Sequence, residues 1–295
     1  MLRRSPRRAH IVEPSPQKKA KTSSPAKASP VKSSPQKKSK TRSPAKVSPT
    51  KSSPAPKAKH SRSAVTPEPV LEECGSFQPL VDPSSNPHTL LLGTQPGPNS
   101  LKVDRYYSDD SNAFWALVGL ELGFRRGWHT HARENGDVIP SFAKELPPRE
   151  EMDVVESYEE GVRRLLTAGY AVWDFLERSE RVMGRAVDAA IRNPTTADIG
   201  GFLEAHPTIR RVVFVIGKGS AIKFRPAFAE WIEEKRDVLW CSNEAARSVF
   251  GDVVEGAEGG EGSIELVVPA SVSAAAAIAF RGKIDSWNKD VWGRK

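Results

Sequence analysis

The chain has 295 residues, with 44 Lys and Arg against 36 Asp and Glu, and its formal charge of +8 averages two opposite halves. Residues 1–70 hold 18 basic and 2 acidic side chains and the remainder holds 26 and 34, so only the first segment has the bulk electrostatics of a nucleic-acid binder. Two distant cysteines, Cys74 and Cys241, form no Cys-x-x-Cys pair, which argues against a disulfide framework or a cysteine zinc site, and no apolar run approaches the ~18 residues of a membrane span.

The cysteine usage suits a reducing compartment. The basic start, Met1-Leu2-Arg3-Arg4, is not followed by an apolar stretch and does not read as a secretory signal. Residues 1–70 carry 12 of the 24 prolines and few large apolar side chains, so they are expected to be a disordered basic tail. Ser-Pro-x-Lys/Arg recurs there at Ser5, Ser15, Ser24, Ser29, Ser34, Ser43 and Ser48, with a degenerate copy at Ser53. These units resemble the Ser-Pro-x-Lys repeats of histone tails, which implies contact with DNA phosphates or a narrow minor groove. Each Ser-Pro also fits a proline-directed kinase, whose phosphate would oppose that contact. Lys18-Lys19-Ala20-Lys21 and Lys37-Lys38-Ser39-Lys40 fit a nuclear import receptor equally well, so a nuclear location is expected with tethering and import both open.

Residues 71–87 read as a linker, and 88–292 as one α/β domain. Thr89–Leu92 reads as a buried strand ending in the turn of Thr94, Gln95, Pro96 and Gly97. Ser111–Leu122 reads as a helix with Phe114, Leu117, Val118 and Leu122 on one face. Residues 123–150 read as a long loop, and its His129 and His131 have no metal-site spacing. Next come a helix over Asp153–Ala168 and a strand over Gly169–Trp173 ending at Asp174, which either orients site groups or bonds backbone. A helix over Asp198–His206 precedes the clearest strand, Arg211–Ile216. Gly217-Lys218-Gly219-Ser220 then opens a helix reaching about Lys235, a setting suited to phosphate. Residues 251–263 read as a flexible insertion, Ile264–Val268 as the last strand and Ala274–Val291 as a closing helix. Alternating elements imply a parallel sheet covered on both faces.

Five segments, in order, resemble one family. Gly93-Thr94-Gln95-Pro96-Gly97 and Tyr106-Tyr107-Ser108-Asp109-Asp110-Ser111-Asn112-Ala113-Phe114-Trp115 come first. Tyr170–Asp174 follows, then Ser179-Glu180-Arg181 with Asp188-Ala189-Ala190-Ile191, then His206-Pro207-Thr208-Ile209, then Val267–Ser273. Together they resemble the uracil-DNA glycosylase superfamily, and within it the branch of hypoxanthine (deoxyinosine) and mismatch-type DNA glycosylases. The resemblance spans roughly residues 88–292. It implies a three-layer α/β/α fold with a central, mainly parallel four-stranded sheet, and a monomer that needs neither cofactor nor metal. It also implies a monofunctional glycosylase that extrudes a damaged or mismatched base from duplex DNA and hydrolyses its N-glycosidic bond with water.

Residue by residue, the resemblance puts Asn112 on the attacking water, although Asn112 also suits a helix cap. The backbone of Thr94, Gln95, Pro96 and Gly97 would face the extruded base. Tyr106, Tyr107 and Phe114 are candidates for stacking, with Phe114 also at core spacing. Ser271 and Ser273 match a loop that contacts DNA near the flipped nucleotide, whereas composition alone makes them capping serines. Three positions depart from the family. Asp109-Asp110 replace a His-Pro, which makes Asp109 a candidate general base. Val215-Ile216 stand where relatives carry a base-reading Asn, and Ala274 stands in place of Pro. These departures leave base specificity open. They also support two other readings: a degenerate glycosylase fold that binds DNA without cleaving it, and an unrelated α/β nucleotide-binding enzyme.

Overall fold

The computed structural model describes residues 69–128, 141–185, 187–252, 254 and 256–293. The Ser-Pro repeats, both Lys clusters, His129 and His131 lie outside the described residues. The described residues belong to one compact unit, Ala64–Lys295.

The chain enters through strand β1 (Leu71–Gly75), inside the segment read as a linker, and reaches β2 (Thr89–Gly93). All five residues of β2 are buried. A strand apolar on both faces needs cover on both, so its side chains alternate between two cores. Leu90 and Leu92 enter one core and Leu91 the other.

Helix α1 (Pro98–Val103) leaves the turn after β2, with proline supplying its first residue. Helix α2 (Phe114–Leu122) begins three residues later than the pattern around Ser111 suggests, because residues 109–112 form a turn of their own. Within the span read as a loop, β3 (Phe124–Arg126) pairs in parallel with β4 (Asp153–Val155). The expected helix over 153–168 is therefore divided: β4 first, then α3 (Tyr158–Thr167), whose N-cap Ser157 accepts a hydrogen bond from the Glu160 N–H.

Strand β5 (Tyr170–Asp174) passes directly into β6 (Leu176–Val182), which pairs antiparallel with β1 and with β7 (Ile191–Thr196). Irregular pairing along β6 breaks the two-residue alternation that would mark it as a strand. Helix α4 (Ile199–Ala205) leads to β8 (Arg211–Phe214) and then α5 (Gly217–Phe224). The expected helix to Lys235 is interrupted by a 3-10 turn at Arg225–Phe228, since Pro226 has no N–H to donate, and resumes as α6 (Ala229–Lys235). Strand β9 (Leu239–Cys241), α7 (Glu244–Phe250), β10 (Ile264–Val267) and α8 (Phe280–Asp290) complete the chain. Helix α8 starts six residues after the expected Ala274.

The central sheet runs β5-β2-β8-β10-β9, and all its pairs are parallel. It has five strands because β9 adds an edge beyond β10 that the sequence pattern did not mark. One face, carrying Leu90, Leu92, Val212, Phe214 and Leu266, packs against α4 to α7. The other, carrying Leu91, Val172, Val213 and Val267, packs against α2, α3 and α8. The result is an α/β/α sandwich with a small antiparallel sheet attached beyond the carboxyl end of β5.

A tight contact joins α2 to β3. A Cβ on Gly119 would lie 2.3 Å from the Phe124 carbonyl oxygen, so only glycine lets the helix approach that backbone. Gly119→Ala is expected to lower the free energy of unfolding by about 1–3 kcal/mol in urea denaturation, despite the helix propensity of alanine. Unchanged or increased stability would show that β3 yields at this contact.

Candidate active site

The carboxyl ends of parallel strands converge where helix N-termini and turn backbones meet, and every matched segment but one leaves such an end. Pairing of β2 with β5 continues past both strands: the Phe175 N–H donates to the Gly93 carbonyl at 3.0 Å and the Leu176 N–H to the Thr94 carbonyl at 3.2 Å. At this exit a Cβ on Gly93 would lie 2.3 Å from Asp174 Oδ1 and 2.5 Å from Tyr107 Oη. The missing side chain is what lets a carboxyl and a phenol approach one patch of backbone.

Asp174 is 2% exposed, and the Ser76 hydroxyl donates to its Oδ2 at 3.4 Å. Burial pushes its carboxyl up to about 7; the Ser76 bond and the Arg181 charge pull down, and Asp188 pushes further up. Tyr107 has left-handed backbone, φ 52°, and its ring stacks on Phe114 with centroids 3.9 Å apart and planes at 15°. Its hydroxyl is buried without a hydrogen-bond partner among the described residues. Burial, then the Asp174 charge, holds that phenol protonated well above the usual tyrosine range.

Gln95 turns inward. Its Nε2 donates to the Cys74 carbonyl at 2.8 Å, and its Oε1 accepts from the Ser179 hydroxyl at 2.5 Å and from Arg181 Nη2 at 3.5 Å. Arg181 Nη1 donates to the Pro96 carbonyl at 2.8 Å. The side chain of Gln95 and the carbonyl of Pro96 are thus engaged with β1 and β6, while Gly97 precedes α1 as its N-cap residue.

Asp188 forms a second node. Its Oδ2 accepts from the Thr94 hydroxyl at 3.4 Å and from the Ser220 hydroxyl, and its backbone carbonyl accepts from Lys223 Nζ. Ser220 in the first turns of α5 therefore serves an internal carboxylate rather than an external phosphate. Lys218 is exposed beside it. Gly217, φ 75°, sits where a Cβ would meet Ser271 Cβ at 2.8 Å.

The loop after β10 bridges to α2: the Val272 N–H donates to the Val215 carbonyl at 3.1 Å and the Ala113 N–H to the Val272 carbonyl at 2.9 Å. Here Ser271 Oγ accepts from the Ser273 N–H and Ser273 Oγ from the Ala275 N–H, both at 3.2 Å, so both hydroxyls cap local turns. Lys283, buried on α8, donates to the Ser273 carbonyl at 2.6 Å, and desolvation draws its ammonium below the usual lysine value.

In the loop before α2, the Asp109 carboxylate accepts from Asn99 Nδ2 at 2.7 Å, from the Ser111 N–H at 2.8 Å and from the Ser111 hydroxyl. That engagement is the fold of the turn itself, in which Asp109 is a staple. Asp110 forms a partly buried ion pair with Arg126. Asn112 Oδ1 accepts from the Phe114 N–H at 2.9 Å, so Asn112 does cap the start of α2. Asn112 also lines a cavity of about 320 Å³ whose walls include Trp115, Phe124, Trp128 and Phe142.

The structure therefore brings Thr94, Tyr107, Ser220 and Asp174 to one edge of the sheet, joined by Asp188 and Gly93. It directs Asn112 to a different space. Phe114 is fully buried beneath Tyr107. Arg181 and Asp188 lie in matched segments of the sequence, but their spacing gave no sign that they would hold Gln95, Pro96, Thr94 and Ser220. Among the described residues no group of three or more His, Cys, Asp or Glu side chains could hold a metal ion, and no helix is long and apolar enough to cross a membrane.

No protein-family model matches the chain, and no curated protein matches it. Among solved structures, the chain is similar to the solution NMR structure of a protein from Methanosarcina acetivorans provisionally described as a uracil DNA glycosylase. The identity is 19% and the TM-score 0.44, over 74% of this chain and 96% of that one.

The raised Asp174 carboxyl gives stability a defined pH dependence. Its ordinary value is 3.8 and its folded value about 7. Below about pH 4 the group is protonated folded or unfolded and contributes no penalty. As pH rises toward 7 the unfolded chain ionises first, and the native state loses about 4 kcal/mol across that window; above it the loss is constant. Asp174→Asn is expected to flatten the stability–pH curve between about pH 4 and 7, measured by denaturant titration. Parallel curves for the two proteins would exclude Asp174 as the source.

Proposed function

We propose that the folded unit is a monofunctional DNA glycosylase that extrudes a damaged or mismatched base and hydrolyses its N-glycosidic bond. One observation carries this reading. Segments that match the glycosylase pattern at separate points of the sequence leave neighbouring strands at one edge of the sheet, and direct contacts join them there. Gly93 meets Asp174 and Tyr107, Asp188 links Thr94 to Ser220, and Gly217 meets Ser271.

Breaking the bond passes through an oxocarbenium-like sugar, which calls for a positioned water rather than a strong nucleophile. Asn112 Oδ1 gives one lone pair to the Phe114 N–H and keeps another for water. The alternative is a degenerate fold that binds DNA without cleavage. It is favoured by the internal engagement of Gln95, Asp109 and Ser220 and by Val215 and Ile216, apolar and buried, at the exit of β8.

Duplexes bearing uracil, hypoxanthine, xanthine or a mismatched thymine decide between these readings. The wild-type chain is expected to cleave at least one, and Asn112→Ala to cleave it about 100-fold or more slowly while binding within a few-fold. Binding without cleavage of any substrate establishes the second reading.

The basic tail is proposed to hold DNA through its phosphates, in a nuclear protein whose Ser-Pro sites answer to proline-directed kinases. Deleting residues 1–65 is expected to weaken non-specific DNA binding and reduce the slope of log K against log salt. An unchanged slope would leave those residues to the import receptor alone.

A further inference from the structure

We infer that the aromatic cavity beside Asn112, rather than the stacked pair at the end of β2, receives the extruded base; this rests on the base-extruding reading above. The stacked pair offers no slot. Tyr107 and Phe114 are already face to face at 3.9 Å, and Phe114 is 0% exposed, so a third ring cannot enter between them. The turn beside them is equally closed, because Thr94 and Gln95 are buried and bonded to Asp188, Cys74, Ser179 and Arg181.

The cavity has what the strand end lacks. Its volume of about 320 Å³ accommodates a nucleobase with part of its sugar. Trp115, Phe124, Trp128 and Phe142 give it aromatic walls, on which any base can stack. Two polar groups are available for base edges. The Asn112 carboxamide in the wall is both donor and acceptor. Trp128 is 6% exposed, and its indole N–H is buried without a partner among the described residues. A buried donor left unmatched is costly, and a base carbonyl or ring nitrogen supplies the missing acceptor. The corresponding N–H of Trp115 is already given to the Tyr106 carbonyl at 3.1 Å, which fixes that ring as a wall. The Arg126–Asp110 pair keeps the inner polar patch neutral, and Arg149, exposed at the lining, lies where a flanking phosphate would need a cation.

The test uses the full chain and a duplex carrying one 5-iodo-2′-deoxyuridine opposite guanine, irradiated and mapped by mass spectrometry. Cross-linking to Trp115, Trp128 or Phe142 is expected. Cross-linking to Tyr107, or none at all, overturns the cavity. Ala143→Leu adds bulk to the cavity wall and is expected to cut the cross-link yield at least ten-fold with the melting temperature little changed. An undiminished yield in that folded variant also overturns the proposal. The two readings separate cleanly: cleavage with a cross-link at Tyr107 keeps the glycosylase and rejects the cavity. A cavity cross-link with no cleavage of any base keeps the cavity and rejects the glycosylase.

Discussion

A guanidinium removed from water must find acceptors inside the protein, and Arg181, 1% exposed, finds them on the turn that leaves the central strand. Its bonds to the Pro96 carbonyl and Gln95 Oε1, together with those of Gln95 to Ser179 and Cys74, fasten that turn to the small antiparallel sheet. The turn in turn sets where α1 starts, and α1 carries Asn99, which holds Asp109. One buried cation thus fixes, through a chain of hydrogen bonds, the loop that delivers Asn112. The small sheet is the anchor of the strand-end geometry.

That anchoring explains why the edge of the sheet is polar and yet closed. Asp174 and Asp188 bring two carboxyl groups to it, but each faces groups from its own protein: Ser76 and Arg181 around the first, Thr94 and Ser220 around the second. Such an edge is rigid before any ligand arrives, a useful property where a reacting atom has to be held in one place. The open space lies on the other side of the α2 start. Asn112 stands at the boundary, capping the helix with the same oxygen that would hold water.

Much of the framework was legible in the sequence, for physical reasons that differ by element. The run Leu90-Leu91-Leu92 and the run from Val212 to Val215 are apolar on both faces, a pattern that a strand buried between two helical layers demands. Strand β6 was hidden because its irregular pairing disrupts the alternation, and β4 because Asp153-Val154-Val155 runs into a helical pattern that begins only after Ser157. The site was legible as segments and illegible as contacts. Gln95 and Arg181 are 86 residues apart, and nothing in either neighbourhood announces the other. The Asp109-Asp110 dipeptide read as a possible base, while the structure uses one carboxylate to fold a turn and the other to pair with Arg126.

The topology of the sheet also governs how the chain comes to be folded. Thr89 in β2 pairs with Tyr170 on one side and Arg211 on the other. During synthesis the three leucines of β2 therefore leave the ribosome well before either partner exists. Until residue 211 has emerged they form an unprotected apolar strand with both edges open, which is the kind of segment that associates with other chains or requires a chaperone. The same central position that shields this strand in the finished protein makes it the most vulnerable element of the nascent one.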